Sequence, residues 1–498
     1  MSAPHPELAE ATIDDLAAGM AAGRLTAAEL VAAHVARIEA LDRTGPTLRS
    51  VIELNPDAAD IAAVLDRERA AGRVRGPLHG IPVLVKDNID TGDRMQTTAG
   101  SLALVGRPAE RDAPLVARLR EAGAVLLGKT NLSEWANFRS PASASGWSGR
   151  GRQTRNPYVL DRSPGGSSSG SGTAPAAGLA VAAVGTETDG SIVSPAASCC
   201  LVGLKPTVGL VPGDGIIPIS ASQDSAGPMA RTVRDAALLL DAMAGTPGHH
   251  AGVCEPGALR GARIGVLREP WIGANRHADR AYEEALRALA DAGAVLVDPV
   301  AIDTAEEIQR SDCELTVLLH EFRDGLNRYL ATRPDMAVRS LADVIEFNRR
   351  HADVELPYFG QETFERAEAA GPLTDETYLE ALALGRRLTR EEGIDATLAR
   401  HALDALVVPC SSPPAAIELV SSGGRGWAST MSASRVPAIA GYPIISVPAG
   451  FVFGELPVAL RLFAGAGSER TLLALAYDFE RATAARRSPR YLPTLDLP

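Results

Sequence analysis

Between Thr12 and Leu41 apolar side chains recur every three or four positions (Leu16, Met20, Leu30, Val31, Val35, Ile38). That spacing predicts two amphipathic helices parted near Gly23. Pro82 to Val85 is a short continuous apolar run that stops at Lys86-Asp87-Asn88, the pattern of a buried strand ending at a polar site. Ala113 to Ala122 predicts a helix, Ala124 to Leu127 a buried strand, and Ser133 onward a further helix. Arg139 to Thr173 is crowded with Ser and Gly, carries no large net charge, and runs straight into apolar Ala174 to Val184. It predicts an ordered loop entering a buried helix rather than a flexible tether.

Farther along, Arg263 to Leu267, Leu406 to Val408 and Ile444 to Val447 read as strands, and Asp279 to Ala292 and Arg470 to Ala482 as helices. Residues 303–402 are charge-rich and helical in pattern, punctuated by Pro334, Pro357 and Pro372. No internal repeat occurs, which excludes solenoids and propellers. The alternation predicts an α/β fold, with a large mixed central sheet covered by helices on both faces. The expected organisation is a set of N-terminal helices packed on the core over 1–75 and a catalytic core over 76–300. A mostly helical segment follows over 301–403, either a cap or a peripheral layer, and 404–498 returns to the same core.

Composition narrows the function. A net charge of −12 without a basic run argues against nucleic acid, because phosphate neutralisation needs clustered Lys and Arg. Met1 to Glu10 lacks a basic stretch followed by an apolar one, and runs such as Gly178 to Gly185 are too short to span a membrane. Five cysteines without CxxC spacing (Cys199, Cys200, Cys254, Cys313, Cys410) read as reduced thiols. A cytoplasmic monomer or homodimer that acts on a small molecule or peptide, without membrane or nucleic-acid partners, is the expectation.

Two motifs mislead. Gly123-Ala-Val-Leu-Leu-Gly128-Lys129-Thr130 spells a phosphate loop, but its four intervening residues belong in a buried strand and a helix precedes them. Gly166-Ser167-Ser168-Ser169-Gly170 spells a nucleophile elbow, but no apolar strand leads into it, and His351 and His401 sit in helical contexts. His249 and His250 are adjacent in a Pro/Gly-rich loop, without metal-binding spacing, and His79 reads as a structural residue at a strand entry. No metal and no cofactor are expected.

Three features remain. Lys86 ends a buried strand, Gly165-Gly166-Ser167-Ser168-Ser169-Gly170-Ser171-Gly172 forms a tight loop, and Gly185-Thr-Glu-Thr188-Asp189-Gly190-Ser191 presents a serine just after a glycine. A serine hydroxyl needs a base, and burial lowers a lysine's pKa until it serves as one. A glycine before the serine lets successive N–H groups converge as an oxyanion hole. Taken singly, such a lysine is more often a surface lysine or one ion-paired to Asp87 or Asp90, such a loop more often a linker, and such a serine more often an N-cap. Residue types alone leave the function undecided.

Together with their neighbours, these segments resemble the amidase-signature family. The matching stretches are Pro77-Leu-His-Gly-Ile-Pro with Lys86, Gly128-Lys-Thr-Asn-Leu-Ser-Glu134, Asn156-Pro157 and Ser163-Pro-Gly-Gly-Ser-Ser. They continue through Gly185 to Ala196, Gly203-Leu-Lys-Pro-Thr207 and Asp224 to Arg231. The resemblance implies Lys86 as base, Ser167 as a bridging serine after a cis peptide bond, Ser191 as acyl-forming nucleophile, and the backbone of Thr188, Asp189, Gly190 and Ser191 as oxyanion hole.

Two departures stand out. Asp189 occupies a position usually held by glycine, and Val193-Ser194 lacks an arginine that meets a substrate carboxylate in malonamide-type relatives, so an acidic acyl group is not expected. With Ser133-Glu-Trp-Ala-Asn-Phe138 and Ser222-Gln-Asp-Ser-Ala-Gly-Pro228, these departures resemble bacterial peptide amidases. The implied activity is hydrolysis of a peptide amide or small neutral amide. An esterase or aryl acylamidase with the same triad, or a glutaminase component of an amidotransferase, is the alternative. Trp135, Trp147, Tyr358, Phe359 and Trp427 are open as pocket walls or core residues.

Overall fold

The computed structural model describes residues 4–410, 412–419 and 432–496. Thr12 and Thr26 each close a capping box, with Asp15 and Glu29, and so start the helices Ile13–Ala21 and Ala27–Arg37 where the apolar spacing predicts them.

In chain order the strands are β1 (Val51–Leu54), β2 (Pro82–Lys86), β3 (Val125–Thr130), β4 (Ala182–Glu187), β5 (Val202–Lys205) and β6 (Ser225–Ala230). They continue with β7 (Arg263–Leu267), β8 (Val295–Val300), β9 (Ala405–Pro409), β10 (Ile444–Val452) and β11 (Leu456–Phe463). Together they make one mixed eleven-stranded sheet in the order β1-β3-β2-β4-β6-β5-β10-β11-β9-β7-β8. β2 runs parallel to both β3 and β4, while β4, β6, β5, β10, β11 and β9 pair antiparallel in succession. β2, β3 and β4 are buried along their whole length, which explains their near-continuous apolar runs.

Alternation along the central strands assigns the two faces. Ile445 and Val447 of β10, Leu460 and Leu462 of β11, and Val407 of β9 enter the main core with the helices Val233–Ala244, Arg276–Asp291 and Glu469–Thr483. Their neighbours Ile444, Phe463, Leu406 and Val408 enter a second core with Val193, Leu388 and Val436. Successive side chains on a strand point to opposite faces, so helices cover both sides of the sheet. A third cluster joins Leu318, Phe322 and Phe364 from the helical stretch to Trp135, Phe138 and Ile219.

Three local readings change. The N-terminal stretch contributes β1 at the sheet edge as well as helices. After Ser133 no regular helix forms: Glu134–Asn137 is one short turn, with Trp135 and Ala136 at φ 50° and 53°. The Glu134 and Trp135 N–H groups go to the carbonyls of Trp147 and Ala99 instead of along a helix.

The buried helix is Ser169–Ala176, not 174–184, and β4 starts at Ala182. Its Ser/Gly content serves close packing. A Cβ on Gly170 would lie 2.2 Å from the Ser50 carbonyl oxygen, while Ser171 Oγ donates to Val184 O at 3.0 Å and Ser169 Oγ to Gly165 O at 2.6 Å.

Candidate active site

Lys86 is carried to the site by β2 and Thr186 by β4, two parallel neighbours paired up to Val85 and Val184. Lys86 is fully buried. Its Nζ donates to Thr186 Oγ1 at 2.8 Å, Ser167 Oγ at 2.9 Å and Thr186 O at 3.2 Å. Burial drops its pKa from 10.5 to about 7, against the opposing pull of the Asp224 and Glu187 carboxylates. A lysine so placed is about half neutral near pH 7.

Ser167 follows a cis peptide bond from Gly166 and is fully buried. Its carbonyl accepts from Ser133 N at 3.0 Å, which ties the loop to the turn after β3. Ser191 comes from the turn after β4, and its carbonyl accepts from Ser168 N at 3.1 Å. Ser191 and Gly166 line one cavity of about 220 Å³ with Asp189, Phe138, Ile219 and Leu318.

The turn that presents Ser191 is fixed from both sides. Glu187 Oε2 accepts from the N–H groups of Ile192 and Val193 at 2.6 and 2.9 Å, and so caps the helix Val193–Ser198. Gly190 sits at φ 76°, and a Cβ there would crowd Ser434 Oγ at 3.0 Å, so this position requires glycine. Thr188 Oγ1 donates to Asp224, which also accepts from the N–H groups of Ile219 and Ser220. Asp189 accepts from Ser434 Oγ. Burial, with Glu314 nearby, raises its pKa to about 8, and Arg435 holds Glu314 at 2.9 Å.

Thr186, Glu187, Asp224 and Ser434 were not singled out by sequence reasoning. The first three lie inside the stretches Gly185 to Ala196 and Asp224 to Arg231. Ser434 has no sequence signal, because its place depends on packing across 245 residues.

The decoys resolve as follows. Lys129 is buried in β3 and donates to Ile89 O and Thr97 Oγ1. Ser168 donates to Thr186 O and accepts from Thr186 N, at 3.0 and 3.1 Å. His79 pairs its Nε2 with Leu65 O at 3.0 Å. The five cysteines are buried and free.

Trp135 and Trp147 are core residues: Trp135 packs edge-on to Phe364, and Trp147 on Tyr358 and Phe359. Arg139 lies over Trp147 and Phe359. Trp427 falls outside the described residues. Among the described residues no helix is long and apolar enough to cross a membrane.

This geometry can be set beside known proteins. The Amidase family matches residues 29–473. The native peptide amidase of Stenotrophomonas maltophilia superposes with a TM-score of 0.90 at 50% identity, covering 98% of this chain and 100% of that one. A probable amidase of Arabidopsis thaliana is 40% identical over 97% of this chain and 92% of its own. A glutamyl-tRNA(Gln) amidotransferase component from Chloroflexus aurantiacus is 36% identical over 96% of this chain and 97% of its own. With a match of this extent around such a site, the chain belongs to the Amidase family and is an amide-hydrolysing enzyme.

Proposed function

We propose that the protein hydrolyses a carboxamide through Ser191, with Ser167 and Lys86 as its proton relay, and that its substrates are peptide amides or small neutral amides. The observation that carries the reading is the buried Lys86 Nζ, 2.9 Å from Ser167 Oγ, with its pKa lowered to about 7, beside a cavity that Ser191 lines. The likeness to a peptide amidase at 50% identity supports the substrate class.

In the acylation step Ser191 Oγ attacks the carboxamide carbon. Its proton passes to Ser167 as Ser167 gives its own to neutral Lys86. The oxyanion meets the backbone N–H groups of the Thr188–Ser191 turn, an interaction worth roughly 3–4 kcal/mol of barrier for one donor. Collapse breaks the C–N bond, and the relay runs backward to protonate the departing ammonia. Water then attacks the acyl-Ser191 ester by the same route, releasing the carboxylic acid and restoring neutral Lys86.

A second reading, glutaminase activity, is favoured by the 36% identity to the amidotransferase component. One panel separates these readings: ammonia release from N-blocked dipeptide amides, amino-acid amides, glutamine, and simple aliphatic and aryl amides. An ester and an anilide are run beside them. Selective turnover of blocked dipeptide amides, lost in Ser191→Ala and Lys86→Ala, is the expected result. Turnover surviving in Ser191→Ala would refute the nucleophile, and preference for glutamine or the ester would refute the substrate class.

A further inference from the structure

Four of the five buried arginines among the described residues are well supplied with acceptors. Arg37 donates to four backbone carbonyls and Arg231 to three. Arg139 meets Glu134, and Arg333 meets Asp90. Arg461, in β11, is different. It is 4% exposed, yet among the described residues its one hydrogen bond runs from Nη2 to Ser194 Oγ at 3.3 Å. Its Nε has no acceptor among the described residues, as Arg231 Nε has none. Arg231 still meets three carbonyls through its terminal nitrogens, whereas Arg461 has that one serine hydroxyl and no carboxylate of the described residues. A guanidinium taken out of water without a counter-charge is strongly disfavoured, and proteins retain such groups where a ligand completes them.

The surroundings have the character of a receiving site. Arg461 lines a cavity of about 200 Å³ whose walls include Gly165, Ser194 and Ser432. Those same three residues also line the cavity that holds Ser191, so the two spaces adjoin. Directly opposite Arg461 on β10 stands Ser446. Paired residues of antiparallel strands share a face, and the Ser446 hydroxyl is likewise buried without a partner among the described residues.

We infer that Arg461 is the carboxylate-binding element of a subsite beside the nucleophile, and that preferred substrates carry a carboxylate on their acyl part. This inference rests on the hydrolase reading above and narrows its substrate class to peptide amides with an acidic acyl part, in place of small neutral amides. A guanidinium offers parallel N–H donors to a carboxylate, the pairing in which charge and geometry reinforce each other. The cation is supplied by β11 rather than by the helix after Ser191, so the lack of arginine at Ser194 does not exclude an acidic acyl group.

The test compares N-blocked dipeptide amides ending in Asp or Glu with those ending in Asn or Gln, and repeats the exchange one residue earlier. Wild type, Arg461→Gln and Arg461→Lys are assayed. Wild type is expected to favour the acidic member of a pair by at least about tenfold in kcat/KM, expressed mainly in KM. Arg461→Gln should erase that ratio, and Arg461→Lys should keep part of it. A wild-type ratio near one, or equal loss of both members in Arg461→Gln, overturns the subsite while leaving amide hydrolysis standing.

If no amide is turned over, the hydrolase reading fails and glutarate still decides the subsite. A rise in wild-type melting temperature that Arg461→Gln and Arg461→Lys diminish supports it. No rise, or the same rise in all three, overturns it. Should Arg461→Gln fail to fold, Arg461→Lys carries both comparisons.

Discussion

Replacing Lys86 by methionine should abolish turnover and yet stabilise the folded protein at low pH. Moving a lysine from 10.5 to about 7 places about 5 kcal/mol of unfavourable free energy in the folded state at about pH 6, at about 1.4 kcal/mol for each tenfold loss of proton affinity. The unfolded lysine keeps its proton up to about 10.5, and the folded one releases it near 7. Between those values the unfolded state binds more protons, so wild-type stability rises with pH by up to about 1.4 kcal/mol per pH unit. The penalty is fully present below about pH 7 and absent above about 10.5.

Methionine has no such penalty but forfeits the three hydrogen bonds of Nζ, at roughly 1 kcal/mol each. The variant should therefore exceed wild type by about 2 kcal/mol at about pH 6, and the order should reverse by about pH 10. Urea unfolding of both proteins at pH steps between those limits measures the gap, with the m-values held equal as the control. A gap that does not change with pH would refute the perturbed lysine, whatever its size. With Lys86 as the proposed base, wild-type kcat/KM should fall about tenfold per pH unit below about 7 as the lysine takes up a proton.

Other expectations follow from the same contacts. Ser191→Ala should lower kcat/KM at least about 10⁴-fold and end fluorophosphonate labelling, with the melting temperature little changed; retained labelling would place the nucleophile elsewhere. Gly190→Ala, forced to φ 76° against Ser434, should lose about 1–2 kcal/mol of stability by urea unfolding and most of its kcat. Arg139→Met leaves Glu134 buried without its cation and should cost about 3–5 kcal/mol at neutral pH, read by thermal melting. Gly170→Ala drives a Cβ toward the Ser50 carbonyl at 2.2 Å, and calorimetry should show a loss of about 1–3 kcal/mol.

Much was legible before any coordinates. The 3.6-residue period of the apolar residues located the two N-terminal helices, and short continuous apolar runs located β2, β3, β9 and the first part of β10. A helix with one buried face repeats its apolar positions, while a strand buried on both faces does not alternate. The α/β class follows from their alternation. Lys86, Ser167 and Ser191 were picked out by motif, and Lys86 and Ser167 meet at 2.9 Å although 81 residues separate them.

What the sequence could not determine depends on contacts between distant segments. The turn at Trp135 replaces a helix because its backbone donors find Ala99 and Trp147, and the helix Ser169–Ala176 starts inside a Ser/Gly run because only small residues fit against Ser50 and Asn131. Asp189 beside Ser434 and Glu314, and Arg461 beside Ser194, are likewise products of strand order and helix packing. Local periodicity encodes which face of an element is buried. It carries no information about which remote residue the fold will bring against it, and that choice sets the pKa of Lys86 and the charge beside Ser191.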